Sequence, residues 1–99
     1  MLDIKINSEG KKFIVALEGD IDRTTAPNLE SEVLPKIEGA EELVFDLAKL
    51  EYISSAGLRS FLKFQKRMDI SGSMTMKNIT AGVREIFELS GLDSFFSIE

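Results

Sequence analysis

Two adjacent serines, Ser54 and Ser55, are the residues of this chain best placed to take part in chemistry. They follow an apolar run and precede an amphipathic one, at the point where a strand is expected to turn into a helix. A helix begins with backbone N–H groups that lack intrahelical partners, and the macrodipole adds about half a positive charge there. A phosphate on either hydroxyl would find these donors ready, so the segment from Asp46 to Arg59 predicts a modifiable site.

The composition argues against catalysis by the chain itself. It contains neither histidine nor cysteine, which removes the usual general base, the usual zinc ligands and the middle member of a catalytic triad. The nearest Ser-x-x-Lys spacing is Ser60 with Lys63, one turn into the expected helix. No glycine-rich phosphate loop or carboxylate cluster with metal-ligand spacing occurs. We therefore expect no enzyme activity, no cofactor and no metal.

Charge and length restrict the partner and the architecture. A formal charge of −5 opposes binding to nucleic acid or to anionic lipid, so a protein is the expected partner. No secretory signal or membrane-spanning run is evident, and we expect a cytoplasmic location. The 99 residues suit one domain over residues 1–99. We expect a monomer, although no feature of the sequence determines the oligomeric state.

The amino-terminal third predicts a hairpin followed by a helix. Two runs of alternating apolar residues flank a segment with turn chemistry, Asn7 to Gly10. Thr24 and Thr25 then offer a helix cap, with Pro27 in the first turn. Because Pro35 would clash with the carbonyl group four residues earlier, the helix should end near Val33 or Leu34.

Two strand-to-helix units follow and determine the fold class. Residues 43–47 form a short apolar run, which predicts a central strand buried on both faces. The apolar arcs of the two later helices have the same offsets and should bury equivalent faces: Leu58, Phe61, Leu62 and Phe64 in one, Val83, Ile86, Phe87 and Leu89 in the other. Parallel crossovers of this kind predict an α/β fold, a mixed but mostly parallel sheet of four or five strands with three or four helices.

A structural explanation of the serines competes with the functional one. Ser54 or Ser55 could simply cap the helix, which contributes about 1 kcal/mol. Gly57 would then allow close approach of the helix to the sheet, because it lacks a Cβ. This explanation leaves the second hydroxyl unexplained, as well as the position of the pair beyond the carboxyl end of a central strand, where open α/β sheets place their sites.

The segment from Asp46-Leu to Tyr52-Ile-Ser-Ser-Ala-Gly-Leu resembles the signature of bacterial anti-sigma factor antagonists, which are small STAS domains. The similarity extends upstream to the run 17–22 followed by Thr25-Ala-Pro, and downstream to the run 83–92. In that family the serine two residues before the glycine is phosphorylated. The resemblance therefore implies phosphorylation of Ser55.

The resemblance also implies a function and a set of partners. The unphosphorylated protein would bind a serine kinase that is also an anti-sigma factor, and so would free the sigma factor for transcription. Phosphorylation by that kinase would switch the antagonist off, and a serine phosphatase would restore it. The residues expected at the partner surface are Asp22, Arg23, Thr24, Ser54, Ser55, Ala56, Gly57 and Arg59.

Two of these residues have an alternative explanation. Asp22 matches an acidic residue next to the switch in the family and should lie near Ser55, but it could equally be a turn or cap carboxylate ahead of Thr24. Arg59 lies four residues after Ser55 and could pair with a phosphate or with an acidic partner. It could also be an ordinary exposed helix charge.

One departure from the family pattern affects the site. Many members have aspartate immediately before the phosphorylated serine, whereas this chain has Ser54, which removes a charge and adds a second possible acceptor. STAS domains also serve as subunits of signalling assemblies and of transporters. In that alternative the Ser-Ser-Ala-Gly turn would be a docking surface with no phosphate turnover.

Overall fold

The computed structural model describes residues 1–99 as five strands, three α-helices and one short 3-10 helix. Their order along the chain is β1 (Leu2–Glu9), β2 (Lys12–Ile21), α1 (Ala26–Val33), β3 (Glu42–Ile53), α2 (Ser55–Ser71), β4 (Ser73–Lys77), α3 (Ala81–Ser90), the 3-10 turn (Asp93–Phe95) and β5 (Ser97–Ile98). The predicted α/β class is confirmed. None of the helices is both long enough and apolar enough to cross a membrane.

The strands lie in the sheet in the same order as in the chain, β1-β2-β3-β4-β5, with β3 in the middle. β1 and β2 form the antiparallel hairpin, and every later pairing is parallel. Irregularities in the β2–β3 register, between Ala16 and Glu18 and again between Gly19 and Asp20, let the two strands stay paired as far as Ile21 and Ile53. The two chain segments that follow these strands therefore leave the sheet side by side.

The helices pack on one face of the sheet, around a cluster of aromatic rings. Phe45 of β3 meets Phe61 edge-on, with ring centroids 4.9 Å apart, and stacks on Phe64 at 5.3 Å. Phe87 of α3 and Phe96 extend the cluster. These geometries are the favoured ones for aromatic pairs, and the rings hold α2 and α3 against β3.

The expectation of a strand buried on both faces is confirmed at the start of the predicted run, residues 43–45, and is wrong beyond it. Leu43, Phe45 and Leu47 belong to the core beneath the helices. On the opposite face Val44 is also buried, but Asp46 is only partly buried and Ala48 is exposed. Right-handed crossovers explain this, because a parallel sheet whose strands follow in sequence order receives all its helices on the same side. The other face of the sheet carries no helix.

Three further local expectations need correction. The hairpin turn consists of Gly10 and Lys11, so of the predicted turn segment Asn7–Gly10 only Gly10 lies in the turn and the other three residues belong to β1. Leu89 is 80% exposed, whereas its counterpart Phe64 is fully buried, so α2 and α3 do not bury equivalent faces. β3 continues six residues beyond Leu47, to Ile53.

Other boundaries are confirmed. α1 has proline in its first turn and ends at Val33, ahead of Pro35. Thr80 caps α3, and Gly91 ends it in the left-handed conformation, with a φ of 76°.

Candidate functional site

The site is built from two turns at the carboxyl ends of β2 and β3. Ile21 pairs with Ile53, and just beyond them the backbone N–H of Ser54 donates to the carbonyl oxygen of Ile21 at 2.8 Å. The turn that begins at Asp22 and the start of α2 are therefore joined directly. This junction brings the Asp22 and Ser54 segments together, although they are far apart in the sequence.

The two serines have opposite environments. Ser55 is the first residue of α2 and is exposed. Ser54 occupies the N-cap position, but its Oγ is buried and has no hydrogen-bond partner. The simple capping explanation therefore fails for this helix, because neither Ser54 nor any other residue provides a side-chain cap.

Gly57 has the structural role that its position suggested. It is buried, and a Cβ at this position would lie 2.6 Å from Cγ1 of Ile53 and 2.7 Å from Cγ2 of Ile21. Only glycine lets α2 begin this close to the ends of β2 and β3. Because Gly57 is buried and has no side chain, it positions the start of α2 but offers no contact group to a partner. Ala56 beside it is partly exposed.

Asp22 organises its own turn. Its Oδ1 accepts hydrogen bonds from the backbone N–H groups of Thr24 and Thr25, at 2.9 and 3.0 Å, and from the Thr24 hydroxyl at 2.6 Å. The Thr24 hydroxyl and these two N–H groups lower the pKa of Asp22 from 3.8 to about 2, so the group is a carboxylate near neutral pH. Neither Thr24 nor Thr25 provides the expected side-chain cap of α1, and Asp22 instead binds the N–H groups of the turn that leads into this helix.

The exposed surface around Ser55 is mixed in charge. Arg23, Thr24 and Arg59 are all exposed, and neither arginine forms an ion pair within the chain. Tyr52, which the sequence analysis did not single out as a partner residue, is 49% exposed near the end of β3. The sequence signal that could have identified Tyr52 is the pair of apolar residues Leu50 and Ile53. They continue β3 beyond Leu47, on either side of Tyr52.

A polar contact secures α2 one turn after its start. The hydroxyl of Ser60, which is fully buried, donates to Oε2 of Glu30 on α1 at 2.5 Å, and Nζ of Lys63 donates to Oε1 at 2.8 Å. Burial raises the pKa of Glu30, but the hydrogen bonds from Lys63 and Ser60 outweigh it and hold the pKa below 4.5. The Ser60 and Lys63 pair therefore joins two helices, with the ammonium group of Lys63 bound to a carboxylate.

Comparisons with known proteins agree with this arrangement. A family model described as the STAS domain matches residues 3–99. A protein of Bordetella bronchiseptica named BtrV, described as a candidate anti-sigma factor antagonist, is 37% identical over 87% of this chain and 76% of its own. The anti-sigma-B factor antagonist of Bacillus subtilis is 28% identical over 98% of this chain and 88% of its own.

Solved structures share the fold at lower sequence identity. An anti-sigma factor antagonist from Mycobacterium paratuberculosis superimposes with a TM-score of 0.88 at 23% identity, covering 99% of this chain and 85% of its own. The Bacillus antagonist SpoIIAA, 16% identical, matches with TM-scores of 0.83 in its unphosphorylated form and 0.75 in its phosphorylated form. Both forms cover 98% of this chain, and this chain covers 88% and 91% of theirs. The chain belongs to the STAS domain family, and its relatives there are bacterial anti-sigma factor antagonists.

Proposed function

We propose that this chain is an anti-sigma factor antagonist whose binding to an anti-sigma factor serine kinase is switched off by phosphorylation of Ser55. The names of the relatives support the antagonist role, and the SpoIIAA fold, known with and without phosphate, supports the switch. On this proposal the protein is a binding partner in the cytoplasm rather than an enzyme, and a serine phosphatase reverses the modification.

The contrast between the two hydroxyls is the observation that favours Ser55 over Ser54. A kinase must bring the acceptor oxygen in line with a nucleotide phosphate, and this requires an exposed side chain. Ser55 is exposed, whereas Oγ of Ser54 is buried between strand and helix. Phosphorylation of Ser54 would require the start of α2 to open first.

The electrostatics of the start of α2 explain why a phosphate on Ser55 is stabilised within this chain and yet weakens binding to the partner. The N-terminus of α2 has no side-chain cap, so its free N–H groups can approach a phosphate on Ser55, and Arg59 lies one turn further along the same helix. At an interface, the same dianion costs several kcal/mol unless the partner provides donors for it. We therefore assign to the partner surface the exposed residues Arg23, Thr24, Ser55 and Arg59 and the partly exposed Ala56. Asp22 holds the turn that carries Arg23 and Thr24.

Phosphorylation assays with single-serine variants test the acceptor. Incubation with ATP and an anti-sigma factor serine kinase should add one phosphate to the wild-type chain and to Ser54→Ala, but none to Ser55→Ala, as read by intact mass and fragment analysis. Transfer of phosphate to Ser55→Ala at the wild-type rate would show that the acceptor is another residue. A wild-type chain that stays unmodified would favour the non-switched subunit of a signalling assembly or a transporter.

Binding assays test the switch separately. Ser55→Ala should bind the kinase as the unmodified protein does and stay bound in the presence of ATP, whereas Ser55→Asp and Ser55→Glu should bind at least about tenfold more weakly, a loss of about 1.4 kcal/mol. Calorimetric titration gives both affinities. Ser31→Asp, a change of the same charge on the exposed side of α1, is the matched control and should bind normally. Wild-type affinity in both acidic Ser55 variants would refute the switch.

A further inference from the structure

β1 is an edge strand that nothing in the chain covers on its outer side. It pairs with β2 along its whole length, Leu2 to Glu9, and it is the first strand in the order of the sheet. An edge of this length exposes a row of backbone N–H and C=O groups that can pair with another strand. At the opposite edge, β5 consists of two residues only.

The hairpin determines which backbone groups face outward. Its loop has two residues, with Gly10 at a φ of 60°, so Glu9 and Lys12 flank the turn as a hydrogen-bonded pair. The odd-numbered residues of β1 then bond to β2, and the hydrogen bond from the N–H of Asp20 to the carbonyl of Met1 continues this pattern. The free N–H and C=O groups therefore belong to Leu2, Ile4, Ile6 and Ser8.

The side chains of β1 alternate between two faces. Leu2, Ile4 and Ile6 are partly buried against the core and leave part of their surface open. Asp3 and Lys5 are exposed on the face without helices and form no ion pair within the chain. Asp3 lies opposite Glu18 of β2, a neighbour of the same charge.

We propose that β1 binds β1 of a second copy of this chain, antiparallel, with the twofold axis at Ile4. Ile4 then faces Ile4 of the second copy, and Leu2 faces Ile6, so each of these pairs can exchange both backbone hydrogen bonds through the groups left free by β2. Asp3 lies opposite Lys5 of the second copy in the closely spaced, non-hydrogen-bonded pairing. The open flanks of the apolar side chains cover one another.

The charges select this register. A shift of the twofold axis to Lys5 would place two lysines directly opposite each other, and a shift to Ile6 would set Asp3 against Glu9. Within the strand, only the axis at Ile4 gives both Asp3 and Lys5 an opposite charge while keeping the outward-facing backbone groups in line. An axis at Asn7 would pair Lys5 with Glu9 but would set Ile6 against Ser8. Since the other edge of the sheet ends in the two-residue strand β5, this pairing closes as a dimer and does not propagate.

Sedimentation equilibrium of the full chain tests the proposal. Because five paired residues per strand make a small interface, the dimer should dissociate between about 10 µM and about 1 mM. Asp3→Lys and Lys5→Asp should each weaken it by about tenfold or more, because each replaces attraction by repulsion at both symmetric contacts. The double variant Asp3→Lys/Lys5→Asp should restore the wild-type constant within about threefold.

Mixing the two single variants tests whether positions 3 and 5 of the two copies meet at the interface. Asp3→Lys and Lys5→Asp should associate with each other more strongly than either does with itself, because every cross-strand pair then joins opposite charges. Glu88→Lys and Lys66→Asp change the net charge by the same amounts at exposed helix positions and should leave the constant unchanged. A wild-type chain that is monomeric at about 1 mM would overturn the proposal, as would a double variant that fails to recover.

Ile4→Pro tests the backbone contribution without relying on charge. Proline at this position removes an N–H that faces away from β2, so the hairpin should keep its hydrogen bonds and the circular dichroism spectrum should match the wild type. Dimerisation should fall by at least about tenfold, because the central pair of hydrogen bonds is lost. A folded Ile4→Pro variant that dimerises like the wild type would refute pairing through β1.

Discussion

The helices α2 and α3 follow similar local sequence patterns but begin differently. Each follows a parallel strand, and each has an extended hydroxyl residue at its N-cap, Ser54 or Thr80. The Thr80 side chain accepts a hydrogen bond from the N–H of Val83, whereas the Ser54 side chain accepts none and its oxygen is buried without a partner. The same local pattern thus gives a capped helix in one place and an uncapped helix in the other.

The difference is the one expected if a functional site at the start of α2 replaces a locally stable cap, as the proposed function requires. An unpaired buried hydroxyl costs about 1–3 kcal/mol, and a helix start without a cap forgoes about 1 kcal/mol. Departures of this kind from local consistency are typical of functional sites. At α2 the departure coincides with an exposed serine in the first turn. At α3 the cap is followed by Ala81 and Gly82, which have no hydroxyl group.

The largest expected difference between the two helix starts concerns their glycines. Gly57→Ala should lower the free energy of unfolding by about 1–3 kcal/mol, because its Cβ would be forced against Ile21 and Ile53, which are buried and cannot move aside. Gly82→Ala in α3 is the matched control. Its Cβ meets nothing within 4 Å, so the change should be neutral or stabilise by up to about 1 kcal/mol. Urea denaturation measures both, and equal effects would show that α2 does not approach the sheet this closely.

A second difference concerns how α2 is held in the absence of a cap. Glu30 joins α1 to α2 through Ser60 and Lys63, and its pKa is lowered in the folded protein. A lowered pKa gives stability that is fully present above the unfolded value of 4.5 and is lost as the pH falls below it, through the folded pKa.

Glu30→Gln should therefore destabilise the protein by roughly 1–2 kcal/mol at pH 7, since its side chain is only 20% exposed and makes charge-assisted hydrogen bonds. The difference from the wild type should shrink as the pH falls below 4.5. Glu32→Gln on the same helix is the control, because Glu32 is exposed. A Glu30→Gln deficit that is independent of pH would rule out the ionised contact as its source.

The sequence predicted the type and order of the main elements but not all of their boundaries or their arrangement in layers. Alternating residues and capping patterns predicted the hairpin, the central strand and the start of α3, because these depend on local periodicity. The one-sided sheet depends on strand order, which periodicity does not contain, and so the burial of β3 was overestimated. Leu89 repeats the offset of Phe64, but α3 leaves that position without a partner to pack against it.

At the candidate site the residue pattern alone pointed to the segment, and only the resemblance to the family ranked Ser55 ahead of Ser54. They are neighbours in a turn, and their exposure depends on how the end of β3 meets the turn after β2, a contact between distant parts of the chain. Likewise, the two explanations of Asp22 could not be separated until its hydrogen bonds to Thr24 and Thr25 were known.

The smallest expected effect compares the two N-cap residues themselves. Thr80→Ala should destabilise the protein by about 1 kcal/mol, because it removes the acceptor for the N–H of Val83. Ser54→Ala should cost nothing or stabilise by up to about 1 kcal/mol, since it removes a buried hydroxyl that has no partner, while the small void left behind offsets part of the gain. Thermal and urea unfolding of both variants would measure the contrast. If Ser54→Ala lost as much stability as Thr80→Ala, the Ser54 hydroxyl would have to cap α2 in solution, and the free N–H groups invoked for a phosphate on Ser55 would already be occupied.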